Sequence, residues 1–266
     1  MPVIIDVHTH AFPDQLAPHA LEKLNDTVPD DARAVLDGTV GGLLASMDRT
    51  GVDRCVICSI ATAPKQADPI LRWSLEIASE RVIPFGSVHP DCADPAAAVR
   101  RIAAAGLKGI KLHPLYQGFA ADEARLWPLY AAVEEAGLVL VMHSGRDIAF
   151  PPGDERASPR RMLRLHRAFP RIPLVAAHMG GWRQWDEALA VLAGTDVYLE
   201  TSYSIGLCAA ATIEALRARH PAERILFGSD SPWREQGEAL ALVRAAWPEP
   251  ARQAAVLGGN AQRLLG

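Results

Sequence analysis

The stretch Val3-Ile4-Ile5-Asp6-Val7-His8-Thr9-His10 decides the fold. An apolar, β-branched run ends in two histidines at i and i+2, and on a strand such residues share one face. Working outward, seven more short apolar runs follow: Cys55–Ile60, Val82–Val88, Gly109–Leu112, Val139–Met142, Leu174–Ala177, Val197–Glu200 and Ile225–Phe227. Their starts are spaced by 52, 27, 27, 30, 35, 23 and 28 residues. A strand, a crossover helix and two loops occupy about 30 residues, so this is the rhythm of repeated βα units. The runs lack strict alternation, as parallel strands covered on both faces do. Only the first step is long, which predicts an insertion after strand 1 at residues 13–38.

Helix signals fill the gaps. Asp68-Pro69, Asp94-Pro95 and Ser158-Pro159 each offer an N-cap followed by a proline suited to the first helical position. Gly51, Gly106 and Gly137 fall where helices must stop. Leu43, Leu44 and Met47 supply one apolar stripe, and Leu126, Leu129, Tyr130 and Val133 another. No linker divides the 266 residues, and a (β/α)₈ barrel takes about 250. Residues 1–266 therefore read as one α/β domain, a TIM barrel. The alternative, a doubly wound open sheet, lacks the G-x-G-x-x-G or Walker loop that would mark it.

Hydrophobic residues make up 49% and charged residues 22% of the chain, which suits a globular protein and excludes disordered, collagen-like and disulfide-stapled classes. The 27 basic and 31 acidic residues give a net charge of -4, no footprint for nucleic acid or an anionic membrane. The N-terminus carries no targeting signal, and no stretch approaches the roughly 18 apolar residues of a membrane span, so a cytoplasmic chain is expected. Cys55 and Cys58 form a C-x-x-C, but within a strand run that turns them to opposite faces; buried free thiols are expected rather than a redox or zinc pair.

Six of the nine histidines end predicted strands: His8, His10, His89, His113, His143 and His178. Asp230 closes strand 8. In a (β/α)₈ barrel these ends converge on one mouth, where the chemistry sits. Imidazoles with one carboxylate suit Zn²⁺ best and accommodate Mn²⁺, Fe²⁺ or Co²⁺. Arg146, three residues past His143, is the candidate for bidentate pairing with a substrate carboxylate, and the Pro- and charge-rich segment 145–157 for part of a lid. Trp182, Trp185 and Trp233 follow strands 6 and 8 and are candidate pocket walls for a cyclic substrate.

Six motifs stand in order: DVHTH (6–10), GIKLHP (109–114), VMHSG (141–145), AAHMGG (176–181), LFGSDSPW (226–233) and GGNAQRLLG (258–266). With these the chain resembles the amidohydrolase superfamily, and more narrowly the amidohydrolase-2 group, to which aminocarboxymuconate-semialdehyde decarboxylase belongs. The resemblance runs from Val3 to Leu265. It implies a barrel with one divalent metal at its mouth, held by His8, His10, His143 and Asp230. It also implies that His178 touches the metal-bound water or the substrate, and that Asp230 doubles as the proton-transfer group. Lys111 matches the strand 4 lysine that is carbamylated in binuclear members. Lys111 and His113 share a strand face, and the narrower resemblance favours one metal with both residues binding substrate.

The function expected is that of a metal-dependent hydrolase acting on a small polar, carboxylated molecule through a metal-activated water. The rival on the same site is a non-oxidative decarboxylase, with His178 and Arg146 serving as proton donor and carboxylate anchor. The rival from another class, an inactive barrel acting as a binding protein, is disfavoured because every expected ligand is present. The partner expected is a small-molecule substrate, not nucleic acid or membrane, and a homodimer stays open.

Overall fold

The computed structural model describes residues 2–266. Short parallel strands lie in all eight places where the runs predict them. These are β1 (Ile5–Thr9), β2 (Arg54–Cys58), β3 (Val82–Phe85), β4 (Gly109–Leu112), β5 (Val139–Met142), β6 (Leu174–Ala176), β7 (Tyr198–Glu200) and β8 (Ile225–Leu226). The helices are α1 (Ala17–Asn25), α2 (Val40–Thr50), α3 (Ala67–Ile77), α4 (Pro95–Ala104), α5 (Pro114–Gln117) and α6 (Trp127–Ala136) in the first half. The second half holds α7 (Pro159–Ala168), α8 (Trp185–Val191), α9 (Ala210–Arg219), α10 (Gln236–Ala246), α11 (Pro250–Ala254) and α12 (Asn260–Leu265).

Strands β1 to β3 form one parallel ladder and β4 to β8 another. Backbone hydrogen bonds close both seams. Gly86 N donates to Gly109 O at 3.0 Å and Lys111 N to Gly86 O at 2.9 Å, joining β3 to β4. Val7 N donates to Phe227 O at 2.9 Å and Asp230 N to His8 O at 2.9 Å, joining β8 to β1. The result is a (β/α)₈ barrel.

The missing alternation follows from two cores. Ile5, Val7, Val56, Phe85, Val139, Val141, Val175 and Leu226 fill the barrel interior, floored by Ala261 and Leu265 of α12. Residues of opposite parity, among them Ile57, Ile110, Leu140, Met142 and Leu199, pack outward on the helices. Gly109 is required here: a Cβ would lie 2.4 Å from the Phe85 ring that plugs the barrel base. Cys55 packs outward and Cys58 inward, and both are free, as their spacing predicts.

Two of the proposed caps need correction. Asp94 caps α4 by accepting from Ala97 N at 2.8 Å. Asp68 instead lies inside α3, because Gln66 Oε1 already accepts Ala63 N and starts the helix at Ala67; its carboxylate pairs with Arg101 at 2.9 Å. Ser158 stands at the α7 cap position, but its side chain makes no capping bond.

Between β1 and α2 the chain runs through α1 and a 3₁₀ turn at Asp30–Ala32. The neck of this segment is closed by Phe12 N donating to Gly38 O at 2.8 Å, and its far end is tied over the barrel mouth by Val35 N donating to Pro232 O at 2.8 Å. The segment 145–157 is likewise pinched, by Gly145 N donating to Ala157 O at 2.7 Å. At Gly145 φ is +94°, and a Cβ would meet Trp182 N at 2.1 Å, so only glycine fits. Among the described residues no helix is long and apolar enough to cross a membrane.

Candidate active site

The carboxyl ends of the strands open into a cavity of about 660 Å³. Its floor is built first by β1. His8 is buried, and its Nδ1 lies 2.9 Å from Glu200 Oε1 at the end of β7. Donation of the Nδ1 proton to that carboxylate leaves His8 Nε2 with its lone pair turned inward. That atom lies 3.1 Å from His10 Nε2, 3.5 Å from Asp230 Oδ1 and 3.1 Å from Lys111 Nζ. Asp230 Oδ1 lies 3.3 Å from His10 Nε2.

Asp230 sits at φ +69°, pinned by its N–H to His8 O and by Trp233 N–H to its own carbonyl. Behind it Asp6 ties β1 to the β8 loop, accepting from Ser229 N at 3.0 Å, Ser229 Oγ at 2.6 Å and Gln236 Nε2 at 2.8 Å.

A second group adjoins the first. His143 Nε2 lies 3.0 Å from the Arg146 carbonyl and can only donate to it. This leaves the His143 Nδ1 lone pair facing His178 Nε2 at 3.1 Å, while His178 Nδ1 lies 3.1 Å from the Ser202 carbonyl, to which it can only donate, and 2.8 Å from Ser202 Oγ, whose own proton goes to Glu200 Oε1 at 2.7 Å. Glu200 is fully buried and also accepts from His178 N at 2.8 Å and Ser202 N at 2.7 Å. It therefore orients both His8 and His178. His113 stacks on His143 with ring centroids 4.0 Å apart, and its Nε2 lies 3.4 Å from Asp147 Oδ2.

Burial disfavours the charged form of four of these imidazoles. It pushes His8, His113 and His143 well below the usual histidine range and His10 below it. Burial also lowers Lys111. It opposes ionisation of Asp230, but the surrounding imidazoles of His8, His10 and His178 outweigh it and hold the carboxyl below the usual range. Two neutral imidazoles and one carboxylate, their donor atoms within 4.8 Å of one another, fit a divalent cation.

These protonation states set a pH dependence of folding. Below pH 6.5 the unfolded chain takes up protons on His8, His10, His113 and His143 that the folded chain refuses, so stability falls as pH drops through this range. Asp6 has the opposite sign: burial pushes it up to about 6, so the folded chain binds its proton first. The histidines outnumber it, so the net effect is a loss of stability as the pH falls. Urea unfolding of chelator-treated protein between pH 6.5 and 5 reads this loss; a flat profile would contradict the buried neutral imidazoles.

The sequence candidates distribute unevenly. His8, His10 and Asp230 come together as one potential ligand group; His143 is not in that group and meets it through His178. Lys111 and His113 both face the cavity. Arg146 is exposed at its rim, held by its backbone N donating to Trp182 O at 2.9 Å, and its guanidinium makes no ion pair among the described residues. Trp182 lines the cavity, and Trp233 meets His10 edge-on at 5.2 Å. Trp185 does not line it; its Nε1 donates to the His178 carbonyl at 3.0 Å and supports that turn from outside. His89 also stays out, because its ring accepts Asp91 N at 3.1 Å. Glu200, Ser202, Asp147 and Asp6 are not among the sequence candidates. Glu200 carries a usable signal, since it closes the run Val197–Glu200 and obeys the strand-end rule.

The sequence matches the model of a family described as amidohydrolase over residues 5–266. No curated protein matches it. Among solved structures, 5-carboxyvanillate decarboxylase from Sphingomonas paucimobilis is 20% identical at a TM-score of 0.68, with 100% of this chain and 99% of that chain covered. A dihydroxybenzoic acid decarboxylase from a Polaromonas species, with bound manganese and the inhibitor 2-nitroresorcinol, is 18% identical at 0.73, covering 100% and 97%. A probable 2-pyrone-4,6-dicarboxylic acid hydrolase from Acinetobacter baumannii, with citric acid bound, is 16% identical at 0.70, covering 100% of both chains. What these share with the present chain is the barrel.

Proposed function

The chain belongs to the amidohydrolase family, and from that premise we propose that it is a metal-dependent decarboxylase of a carboxylated planar ring. The observation that carries this reading is the cavity's division. Imidazoles, Lys111 and Asp230 gather at its floor, and flat rings including Trp182, Trp233 and Tyr116 stand along its sides. Such a cavity seats a carboxylate downward with its ring between aromatic walls. The two decarboxylases of carboxylated aromatics among the structural neighbours support the same class.

A divalent cation held by His8, His10 and Asp230 would supply positive charge for the substrate carboxylate and for the electron pair left behind when CO₂ departs. Zinc suits this imidazole-rich donor set, and manganese, the metal of the Polaromonas neighbour, is also accommodated. The chain's own residues do the rest. Lys111 Nζ adds a hydrogen-bond donor at the floor, with Cys58 buried beside it and kept as a thiol by a pKa pushed up to about 12. His178 Nε2 faces the floor and is the group assigned to deliver the proton to the ring carbon, its ring steadied by Ser202 and Glu200. Asp147 orients His113 against His143.

Hydrolysis is the second reading. It is favoured by the ionised Asp230 at the centre of the floor, a base suited to activating water. Mass spectrometry decides between them on a panel of hydroxylated aromatic acids, lactones and amides in ¹⁸O-labelled water. Loss of CO₂ from the organic product is the expected result; incorporation of ¹⁸O without that loss would overturn it.

Arg146 at the rim is assigned to a second acidic group of the substrate, apart from the carboxylate seated at the floor. Arg146→Met is expected to lower kcat/KM by the equivalent of about 2–4 kcal/mol, through KM, with metal content unchanged. An unchanged kcat/KM would make it a solvated loop residue.

A further inference from the structure

Above the polar floor the cavity has a second compartment that the proposed chemistry does not use. Helix α1 buries Ala17 and Leu21 against the body of the protein. Its adjacent row, Leu16, Ala20 and Leu24 at i, i+4 and i+8, faces the cavity. Leu16 is 58% exposed there. Ile70 and Trp73 of α3 line the same cavity and are only half-buried. Two apolar helix faces thus line the cavity that holds Asp230, and each keeps part of its surface exposed there. An amphipathic surface helix normally turns such a row into the core, so apolar surface left in a concave site calls for a ligand that covers it. The neighbouring residues His19 and Lys23 of α1, with Thr27 in the turn beyond it, are polar and lie at the rim. The cavity's 660 Å³ also falls in the range that encloses molecules of drug size, well beyond one small ring.

We propose that the substrate carries, besides the carboxylated ring, an extended apolar arm, aryl or alkyl, that lies between the α1 row and Ile70–Trp73. The inference rests on the proposed decarboxylase reading for the carboxylate head alone. The occupant is a small molecule because the compartment is continuous with the floor: one ligand touching Asp230 passes between the two rows. The polar residues at the rim then meet solvent as the arm ends.

Equilibrium binding of benzoate, 4-butylbenzoate and biphenyl-4-carboxylate to the metal-loaded protein tests this without any turnover. Affinity is expected to rise along the series, by roughly 30-fold from the first to the last, as the arm removes apolar surface from water. The ratio of biphenyl-4-carboxylate to benzoate affinity is expected to collapse towards one in Leu24→Asp and in Ile70→Asp, whose positions are half-exposed and tolerate a charge. Equal affinities along the series would overturn the proposal, as would a ratio that survives both substitutions. If both variants instead change the oligomeric state by light scattering and leave the ratio alone, the rows are an interface between copies and the proposal is wrong. Biphenyl-4-carboxamide separates the two readings. Binding as tight as that of the acid removes the carboxylate head and leaves the arm in place, and a tight acid that is never decarboxylated counts against the proposed reaction only.

Discussion

Asp230→Asn is expected to reduce kcat/KM by about 10³-fold or more and to release most of the bound metal at concentrations where the parent protein keeps it. The substitution is close to isosteric. Asparagine also tolerates the left-handed backbone that Asp230 adopts at φ +69°, so the turn Ser229–Trp233 is retained. What disappears is the negative charge that faces His8 Nε2, His10 and Lys111 at the floor, together with the anionic ligand it represents. Elemental analysis, turnover and melting temperature on the same preparation separate the causes. Loss of metal and activity with an unchanged apo melting temperature is the predicted pattern. Retention of both would remove Asp230 from the site.

His178→Asn is expected to lower kcat by about 10²–10⁴-fold while metal occupancy stays nearly intact. His178 too is left-handed, at φ +59°, a conformation asparagine accepts. Its ring joins Ser202 to His143, and its backbone N–H is fixed by Glu200, so it is aimed rather than merely packed. If it were only a core residue, the variant would melt earlier and turn over normally. If it loses metal as readily as Asp230→Asn, His178 is a ligand and the division of roles between the two residues is wrong.

The barrel was open to reading because parallel strands covered on both faces leave continuous apolar runs, and β5, with Val139 and Val141 inside and Leu140 and Met142 outside, shows why no alternation marks them. The mouth was open to reading because strand ends are fixed by those runs, which carried His8, His10, His113, His143, His178 and Asp230 to one cavity. Position past a strand end is a weaker guide. His89 and Trp185 follow strands but are turned away by local bonds to Asp91 N and His178 O. Glu200 closes its run as the others do, but its work is done through other residues, the ring of His8 and the turn at His178. The apolar row of α1 was hidden: Leu16, Ala20 and Leu24 have ordinary helical spacing, and only the cavity opposite shows that they are not core.

Elemental analysis of protein purified without chelator tests most directly whether His8, His10 and Asp230 form a metal centre. About one divalent ion per chain is predicted, falling towards zero in His8→Ala and His10→Ala. No metal in the parent protein, in a folded preparation supplied with zinc and manganese during growth, would contradict it.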